Sequence, residues 1–212
     1  MKVIAINGSP RKNWNTQTLL QNALEGAASA GAETAMVNLF DLDYTGCIGC
    51  LGCKRQGGDG HCVVKDQLSP VLHDCAECDA IILGSPIYLH ETTGAMRSFI
   101  ERLVFPYISY DEWQVSLFKG SIKTAFVFTT NCPEDKYDAV GYTQRFADYQ
   151  DMLTRIFGQC RIVTAGETLQ TNDYEKYHMA MFDIPERRRR REEIFPQDCK
   201  NAFALGQWAA EQ

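Results

Sequence analysis

Short apolar runs alternate with longer amphipathic segments along most of the chain, and this alternation constrains the fold more than any other feature. After the first run, for example, Leu20, Ala23 and Leu24 recur at helical spacing. Buried strands that alternate with helices are typical of a parallel sheet covered on both faces. The sequence therefore predicts an α/β fold, a doubly wound five-stranded parallel sheet with helices on both faces. The predicted strands are residues 2–6, 34–39, 80–84, 123–129 and 161–165, and the predicted helices include 66–78, 94–104, 143–157 and most of the chain after 165, with an interruption at Pro196.

Length and charge limit the class of protein. The chain has 212 residues without an internal repeat or linker, so we expect one domain over residues 1–212, with a cysteine-rich loop inserted at about 44–65. The net charge of −6 argues against nucleic-acid and membrane partners. No apolar stretch approaches the roughly 18 residues of a membrane span, and Met1 runs directly into a strand-like segment. We therefore expect a cytoplasmic protein with reduced cysteines.

Four of the nine cysteines lie close together in the sequence. Cys47, Cys50 and Cys53 have two residues between neighbours, and Cys62 follows after eight more. Thiolates are soft ligands, and such a triple run can supply neighbouring corners of an iron-sulfur cluster. The glycine-rich segment 57–60 gives the connection to Cys62 flexibility. The spacing thus indicates a 4Fe-4S site, with a zinc site or a group of reduced thiols as alternatives, although zinc more often uses two separated pairs.

The segment after the first predicted strand is rich in hydroxyl and amide side chains and leads into a helix. Backbone N–H groups and the dipole at a helix N-terminus favour a phosphate. The segment matches neither the Gly-x-Gly-x-x-Gly pattern nor the nucleoside-triphosphate loop, so a phosphomonoester fits better. Alternatively, these side chains form only turn and cap interactions. The candidate phosphate-binding residues are Ser9, Arg11, Asn15, Thr16, Gln17 and Thr18.

The loop after the first predicted strand contains Gly8-Ser9-Pro10-Arg11-Lys12, and the loop after the third contains Gly84-Ser85-Pro86-Ile87-Tyr88. These two motifs resemble those of the flavodoxin-like NADPH-dependent FMN reductases, specifically the branch of iron-sulfur flavoproteins. Gly8-Ser9-Pro10-Arg11-Lys12 with Asn15-Thr16 looks like the FMN-phosphate loop of that family. Gly84-Ser85-Pro86-Ile87-Tyr88, followed by Met96, Phe99 and Arg102, looks like its flavin-ring loop and the next helix. The resemblance covers nearly the whole chain and implies a flavodoxin-like FMN-binding domain. It adds Pro86, Ile87, Tyr88, Leu89, Thr129 and Asn131 to the candidate cofactor-binding residues.

The resemblance also implies a function. It suggests an oxidoreductase that passes electrons from NAD(P)H through FMN to a quinone, another small molecule or a protein. The flavin carries the chemistry, so no catalytic acid or base is expected. The alternative is an iron-sulfur flavoprotein that exchanges electrons with ferredoxin-like partners, although the gap from Cys53 to Cys62 is longer than in that branch. A third hypothesis is a regulatory domain that binds no FMN. A homodimer or homotetramer is expected, with Trp14 and the aromatic segment 105–110 as contact candidates.

Several other reactive or charged residues have simpler explanations. Cys75 and Cys78 form a second Cys-x2-Cys pair, which we expect to be buried packing residues at the end of a helix. Cys132 could approach the flavin, but a small apolar packing role explains it at least as well. His90 could contact a substrate near the flavin, but ordinary surface exposure is the better explanation. The arginine run 187–191 is flanked by glutamates on a predicted helix, so we expect it to be a solvated helix face.

Overall fold

The computed structural model describes residues 1–57 and 60–211. Gly58 and Asp59 of the expected flexible connection, and Gln212 of the expected domain, lie outside the described residues. Five strands run parallel in the order β2-β1-β3-β5-β6, which is the flavodoxin-like order when the short β4 is left out. The predicted five-stranded parallel sheet is confirmed. The strands are β1 (Lys2–Asn7), β2 (Glu33–Asn38), β3 (Ala80–Tyr88), β4 (Glu91–Thr92), β5 (Ile122–Thr129) and β6 (Gly158–Ala165).

Helices cover both faces of this sheet, as the sequence predicts. The helices are α1 (Asn15–Ser29), α2 (Ser69–Glu77), α3 (Gly94–Val104), α4 (Tyr142–Phe157), α5 (Ile184–Glu193) and α6 (Phe195–Ala209). Side chains of α1 and α6 form the apolar core on one face, and those of α2, α3 and α4 form the core on the other. In β5, Val127 belongs to the first core and Phe126 and Phe128 to the second, because successive side chains of a strand point to opposite faces. No helix of the described residues is long and apolar enough to cross a membrane.

Helices α1 and α6 pack with their backbones in direct contact. A Cβ atom built on Gly26 lies 2.0 Å from the carbonyl oxygen of Phe203, and one on Gly206 lies 1.7 Å from that of Ala23. Only glycine leaves room for so close a crossing at both positions. The C-terminal helix is therefore held tightly against α1, whose N-terminus follows the predicted phosphate loop.

The structure corrects one expectation about the C-terminal part and confirms another. Residues 166–183 contain no α-helix, only a short 3-10 turn at Tyr174–Lys176. The expected interruption at Pro196 is present: α5 ends at Glu193, and Pro196 lies in the first turn of α6, where its missing N–H removes no intrahelical hydrogen bond. The chain after β6 thus crosses the sheet edge as an irregular loop before α5 begins.

The arginine run is not a solvated face as a whole. Arg188 and Arg189 are exposed, whereas Arg187 and Arg190 are buried. Arg187 donates to the carbonyl oxygen of Asn131 at 2.9 Å, and Nη1 of Arg190 pairs with Oδ2 of Asp198 at 3.1 Å. The prediction was wrong for these two because internal partners offset the cost of burying their charge.

The second Cys-x2-Cys pair is buried, as expected. Cys75 and Cys78 are at most 4% exposed, at the junction of α2 and β3. Burial raises the pKa of Cys78 to about 12 and that of Cys75 higher still. Both side chains are therefore protonated packing groups near neutral pH.

Candidate functional site

The loops after β1, β3 and β5 meet at the carboxyl edge of the sheet. The backbone N–H of Gly8 donates to the carbonyl oxygen of Gly84 at 2.8 Å, which joins the first two loops. Thr93, just after β4, donates through Oγ1 to the carbonyl oxygen of Gly8 at 2.6 Å. The hydroxyls of Thr16 and Thr129 are 2.8 Å apart and join the first loop to the third. Ligands of open α/β sheets bind in this kind of crevice.

One pocket occupies this crevice, and nine of the twelve predicted cofactor-binding residues line it. Gln17 and Thr18 instead bind within the loop: Oε1 of Gln17 accepts from the N–H of Asn13 at 3.1 Å, and Oγ1 of Thr18 donates to the carbonyl oxygen of Trp14 at 3.0 Å. Leu89 is 96% exposed. The pocket is lined by Ser9, Arg11, Trp14, Asn15, Thr16, Pro86, Ile87, Tyr88, Thr129, Thr130, Asn131, Thr168, Leu169 and Gln170.

Two polar features of this pocket suit a flavin mononucleotide. The N-cap residue of α1 is Trp14, and within the described residues no side chain caps the first turn, which leaves its N–H groups available to an anion. Oδ1 of Asn131, which also lines the pocket, is buried and accepts no hydrogen bond from the described residues. A flavin ring carries an N–H donor at its edge that such an acceptor can bind. The donors and the acceptor thus match the two polar ends of FMN.

Turn interactions also occur in the first loop. Oδ1 of Asn7 accepts from the N–H of Ser9 at 3.0 Å, and Oγ of Ser9 accepts from the N–H of Arg11 at 3.2 Å. These bonds fix the loop conformation. Ser9 therefore performs the turn role that the sequence left as an alternative, while it also lines the pocket.

The loop after β6 forms a wall of the pocket that the sequence did not indicate. The carbonyl oxygen of Leu169 accepts from Nε1 of Trp14 at 3.2 Å and from Nδ2 of Asn15 at 2.9 Å. The carbonyl oxygen of Gln170 accepts from Nη1 of Arg11 at 2.6 Å. Trp14 thus fastens this loop to the phosphate loop. No motif marks residues 168–170, because their contribution is made by backbone carbonyls.

Helix α5 supports the same pocket from outside. Nη1 of Arg191 donates to Oδ1 of Asn15 at 2.9 Å, and its guanidinium carbon lies 4.0 Å from the centre of the Phe195 ring. Arg187 holds the backbone of Asn131 in the third loop. Two arginines from one helix therefore position two of the three loops that form the pocket.

A tight hairpin forms the outer rim beside Tyr88. The strands β3 and β4 pair through Tyr88 and Glu91, and the two residues between them, Leu89 and His90, have φ values of 49° and 66°. Consecutive positive φ values match a type I′ turn, a strained conformation for non-glycine residues. The ring of His90 contacts that of Tyr142 edge-on at 5.5 Å, so it packs locally. Tyr88 remains 46% exposed at the mouth of the pocket.

The four clustered cysteines line a second cavity, beside α3. Cys47 and Cys50 are exposed, and Cys53 and Cys62 are half-buried. Burial raises the pKa of Cys53, and the neighbouring charge of Lys54 opposes this shift. The cavity is lined by Cys47, Ile48, Cys50, Leu51, Cys53, Cys62, Val63, Val64, Glu101, Arg102, Phe105 and Pro106.

Glycines let the cysteine loop fold closely around this cavity. A Cβ atom on Gly52 would lie 2.4 Å from Cγ2 of Val63, so the segment before Cys53 packs on the segment after Cys62. A Cβ on Gly46 would lie 3.1 Å from Oε2 of Glu101, which also accepts from the N–H of Cys47 at 3.4 Å. The loop thus contacts α3 next to Cys47. Next to Cys53 it contacts its own later segment, the one that follows Cys62.

Lys54 attaches the loop to the chain that follows α3. Its ammonium donates to the carbonyl oxygen of Pro106 at 2.9 Å and also to that of Ile108. The same group lies 4.9 Å from the centre of the Phe105 ring and 5.7 Å from that of Tyr110. Burial lowers the pKa of Lys54, with the Cys53 thiolate opposing the shift. A cation is therefore held next to Cys53.

Within residues 1–57 and 60–211, no three His, Cys, Asp or Glu side chains are arranged around one metal ion. In a 4Fe-4S cluster each thiolate binds a different iron, so the sulfur atoms are spread around a larger core than a single ion. Cys47, Cys50, Cys53 and Cys62 line the wall of one cavity.

Comparison with known proteins agrees with the fold. Over 102 residues the chain is 39% identical to an iron-sulfur flavoprotein of Methanocaldococcus jannaschii, an alignment that covers 48% of this chain and 51% of that protein. The matched part thus spans about half the length of that relative. An iron-sulfur flavoprotein of Archaeoglobus fulgidus is 29% identical over 211 residues, which cover 100% of this chain and 80% of the relative.

A solved NAD(P)H:quinone oxidoreductase from Methanothermobacter marburgensis has the same fold. It superposes with a TM-score of 0.75 at 10% identity and covers 100% of this chain and 98% of its own. The strand order and the loops that meet at the carboxyl edge of the sheet define a flavodoxin-like protein. The model of the NADPH-dependent FMN reductase family matches residues 1–119, more than half of the chain. The chain belongs to that family.

Proposed function

We propose that the protein is an FMN-dependent oxidoreductase that takes electrons from NAD(P)H and delivers them to a quinone, another small molecule or a protein. The observation that carries this proposal is the pairing of free N–H groups at the start of α1 with the buried, unpaired Oδ1 of Asn131 in one pocket. Bound FMN supplies the redox chemistry, and the chain binds and orients it. Membership in the FMN reductase family supports the same assignment.

Different parts of the pocket bind different parts of FMN. The first turn of α1 and Arg11 bind the phosphate, since backbone donors and a guanidinium both favour an anion. The loop around Pro86 and Ile87 supports the ring edge, and proline gives it rigidity. Tyr88, half-exposed at the mouth, offers an aromatic face to the nicotinamide or the acceptor.

We also infer that Cys47, Cys50, Cys53 and Cys62 hold a 4Fe-4S cluster. Their common cavity supports this, and the long gap before Cys62 is accommodated because Val63 packs on Gly52. The cluster, when bound, supplies a one-electron centre; the chain supplies thiolate ligands, a nearby Lys54 and a loop fixed to α3. This arrangement favours the second candidate function, an electron carrier that exchanges electrons with ferredoxin-like partners.

The assembly and location remain predictions. Tyr110 is 71% and Trp113 89% exposed, which favours a contact between copies at this end of the molecule. Trp14, an earlier contact candidate, is half-buried and hydrogen-bonded to Leu169 instead. We expect a homodimer or homotetramer in the cytoplasm, and light scattering at micromolar concentration tests the first part. A monomer would contradict it.

Anaerobic purification followed by rapid mixing tests both functions. We expect stoichiometric FMN, about four irons per chain and bleaching of the flavin band by NADH or NADPH. Turnover with NAD(P)H and a quinone identifies the oxidoreductase. Reduction by reduced ferredoxin without NAD(P)H turnover identifies the carrier. Protein that binds neither FMN nor riboflavin would refute both.

A further inference from the structure

Helix α3 connects the flavin pocket with the cysteine cavity. Before its N-terminus, Thr93 contacts both flavin loops: its Oγ1 bonds to Gly8, and its N–H donates to Oγ of Ser85 at 3.1 Å. Near its C-terminus, Arg102 turns toward the cysteine loop. The family resemblance places Arg102 in the helix after the flavin-ring loop, but its contacts are made at the other end of that helix.

Arg102 binds both ends of the cysteine loop. Nη1 donates to the carbonyl oxygen of Thr45 at 3.0 Å, two residues before Cys47, and Nη2 donates to that of Val64 at 3.1 Å, two residues after Cys62. The guanidinium also pairs with the carboxylate of Asp66 in a very short contact. Its side chain has no exposed surface. The planar fork of arginine can hold three acceptors in this way, whereas the single ammonium of lysine cannot match its geometry.

One donor of Arg102 is left over. Nε is buried and makes no hydrogen bond within the described part of the chain. Arg102 and Cys62 both line the wall between the cysteine cavity and a neighbouring cavity of about 330 Å³.

We propose that Arg102 is the positioning residue for Cys62, the fourth thiolate, and that its unused Nε–H is the donor available to that sulfur when a cluster is bound. The proposal rests on the cluster assignment made above. Eight residues separate Cys53 from Cys62, so the chain between them does not by itself fix the last thiol. Arg102, which lies on α3, holds the Cys62 thiol in place instead. Hydrogen bonds to cluster sulfurs and a nearby positive charge favour the reduced cluster, so Arg102 raises its reduction potential.

Replacing Arg102 by lysine and by glutamine distinguishes the effect of the guanidinium's hydrogen-bonding geometry from the effect of its positive charge. Arg102→Lys keeps the charge and loses the fork, and Arg102→Gln loses both. Arg55→Gln, an exposed arginine of the same loop, is the matched control. Cys199 on α6, half-buried and far along the chain, serves as an internal reference for general unfolding.

The first measurement uses cluster-free protein. Alkylation of Cys62 by iodoacetamide, followed by peptide mass spectrometry, should be severalfold faster in both Arg102 variants, with Cys199 unchanged. Unchanged alkylation of Cys62 would overturn the positioning role. If Cys199 also reacts faster in Arg102→Gln, that variant is generally unfolded and only Arg102→Lys is compared with the wild type. Arg102→Lys keeps the positive charge but loses the guanidinium geometry, so Cys62 must still react faster in it.

The second measurement uses reconstituted protein. The midpoint potential of the cluster should fall in Arg102→Lys and fall further in Arg102→Gln, while Arg55→Gln stays at the wild-type value. A tenfold loss of preference for the reduced cluster corresponds to about 59 mV. Wild-type potentials and iron content in both variants would overturn the proposal. Failure of the wild type to take up iron would instead refute the cluster assignment, and the alkylation experiment would still decide whether Arg102 holds Cys62.

Discussion

The guanidinium of Arg191 donates a 2.9 Å hydrogen bond to the side-chain oxygen of Asn15, across a sequence separation of 176 residues. Asn15 is the first residue of α1, and its amide nitrogen in turn donates to Leu169. The side-chain amide of Asn15 is thus hydrogen-bonded through both its oxygen and its nitrogen. Its role is to connect α5, the loop after β6 and the phosphate loop, while the backbone at this helix start faces the pocket.

Arg191→Gln should therefore weaken FMN binding by about fivefold, or about 1 kcal/mol, because the phosphate loop loses one charge-assisted support. The effect on riboflavin should be smaller, since riboflavin has no phosphate. Isothermal titration of both ligands measures the difference. Arg188→Gln, on an exposed position of the same helix, should bind both as the wild type does. Equal losses in the two variants would contradict a specific role for Arg191.

Arg11→Ala should weaken FMN binding by about 1.5 to 3 kcal/mol if its guanidinium binds the phosphate. In the present structure Nη1 of Arg11 is bonded to Gln170, and the side chain lines the pocket. Lys12→Ala is the control, because Lys12 is exposed and pairs with Asp41 at 2.7 Å. Titration with FMN and riboflavin decides the matter: unchanged FMN affinity, or an equal loss for both ligands, removes Arg11 from the phosphate site.

Cys50→Ser should abolish most iron uptake on anaerobic reconstitution, whereas Cys75→Ala should retain about four irons per chain. Cys50 lines the cysteine cavity, and Cys75 is buried at the end of α2 as a protonated packing residue. Iron analysis and the charge-transfer absorbance provide the measurement. Full iron in Cys50→Ser would exclude this residue as a ligand.

The stability of the cysteine loop should decrease at acidic pH. Burial alone raises the pKa of Asp66, but the hydrogen bond and charge of Arg102 prevail and hold it below the ordinary value of 3.8. A lowered folded-state pKa means that ionised Asp66 contributes its full stability above 3.8 and loses it as the pH falls through the folded-state value.

Asp66→Asn should accordingly lower the free energy of unfolding by about 3 kcal/mol near neutral pH, because it leaves a buried guanidinium without its anion. The difference from the wild type should shrink as the pH falls below 3.8. Urea titrations at both pH values test this. Asp74→Asn is the control: its ion pair with Lys2 is exposed, and such pairs contribute at most about 1 kcal/mol. A pH-independent difference at Asp66 would contradict the ion-pair explanation.

Gly206→Ala should destabilise the fold by about 3 kcal/mol, at the upper end of ordinary overpacking, because the added methyl group meets the backbone of α1. Chemical denaturation measures the change. Gly94→Ala has no atom within 4 Å of the added carbon, so its effect should stay within about 1 kcal/mol. Similar effects of the two substitutions would mean that α1 and α6 can move apart.

The sequence predicts the sheet and most of the pocket because these depend on local patterns. The strand at residues 80–84 is a continuous apolar run, and the loops at Ser9 and Pro86 directly follow strands whose ends must meet in a parallel sheet. The loop at 168–170 escapes prediction because it contributes carbonyl oxygens, which every residue has. Arg187 and Arg191 escape it because charge spacing on a helix does not reveal distant partners such as Asn15.

The close crossing of α1 and α6 also has a consequence for synthesis on the ribosome. Ala23 is synthesised long before Gly206, which fits against it. A nascent chain must therefore keep the apolar side of α1, including Leu19 and Leu24, uncovered until α6 has left the exit tunnel.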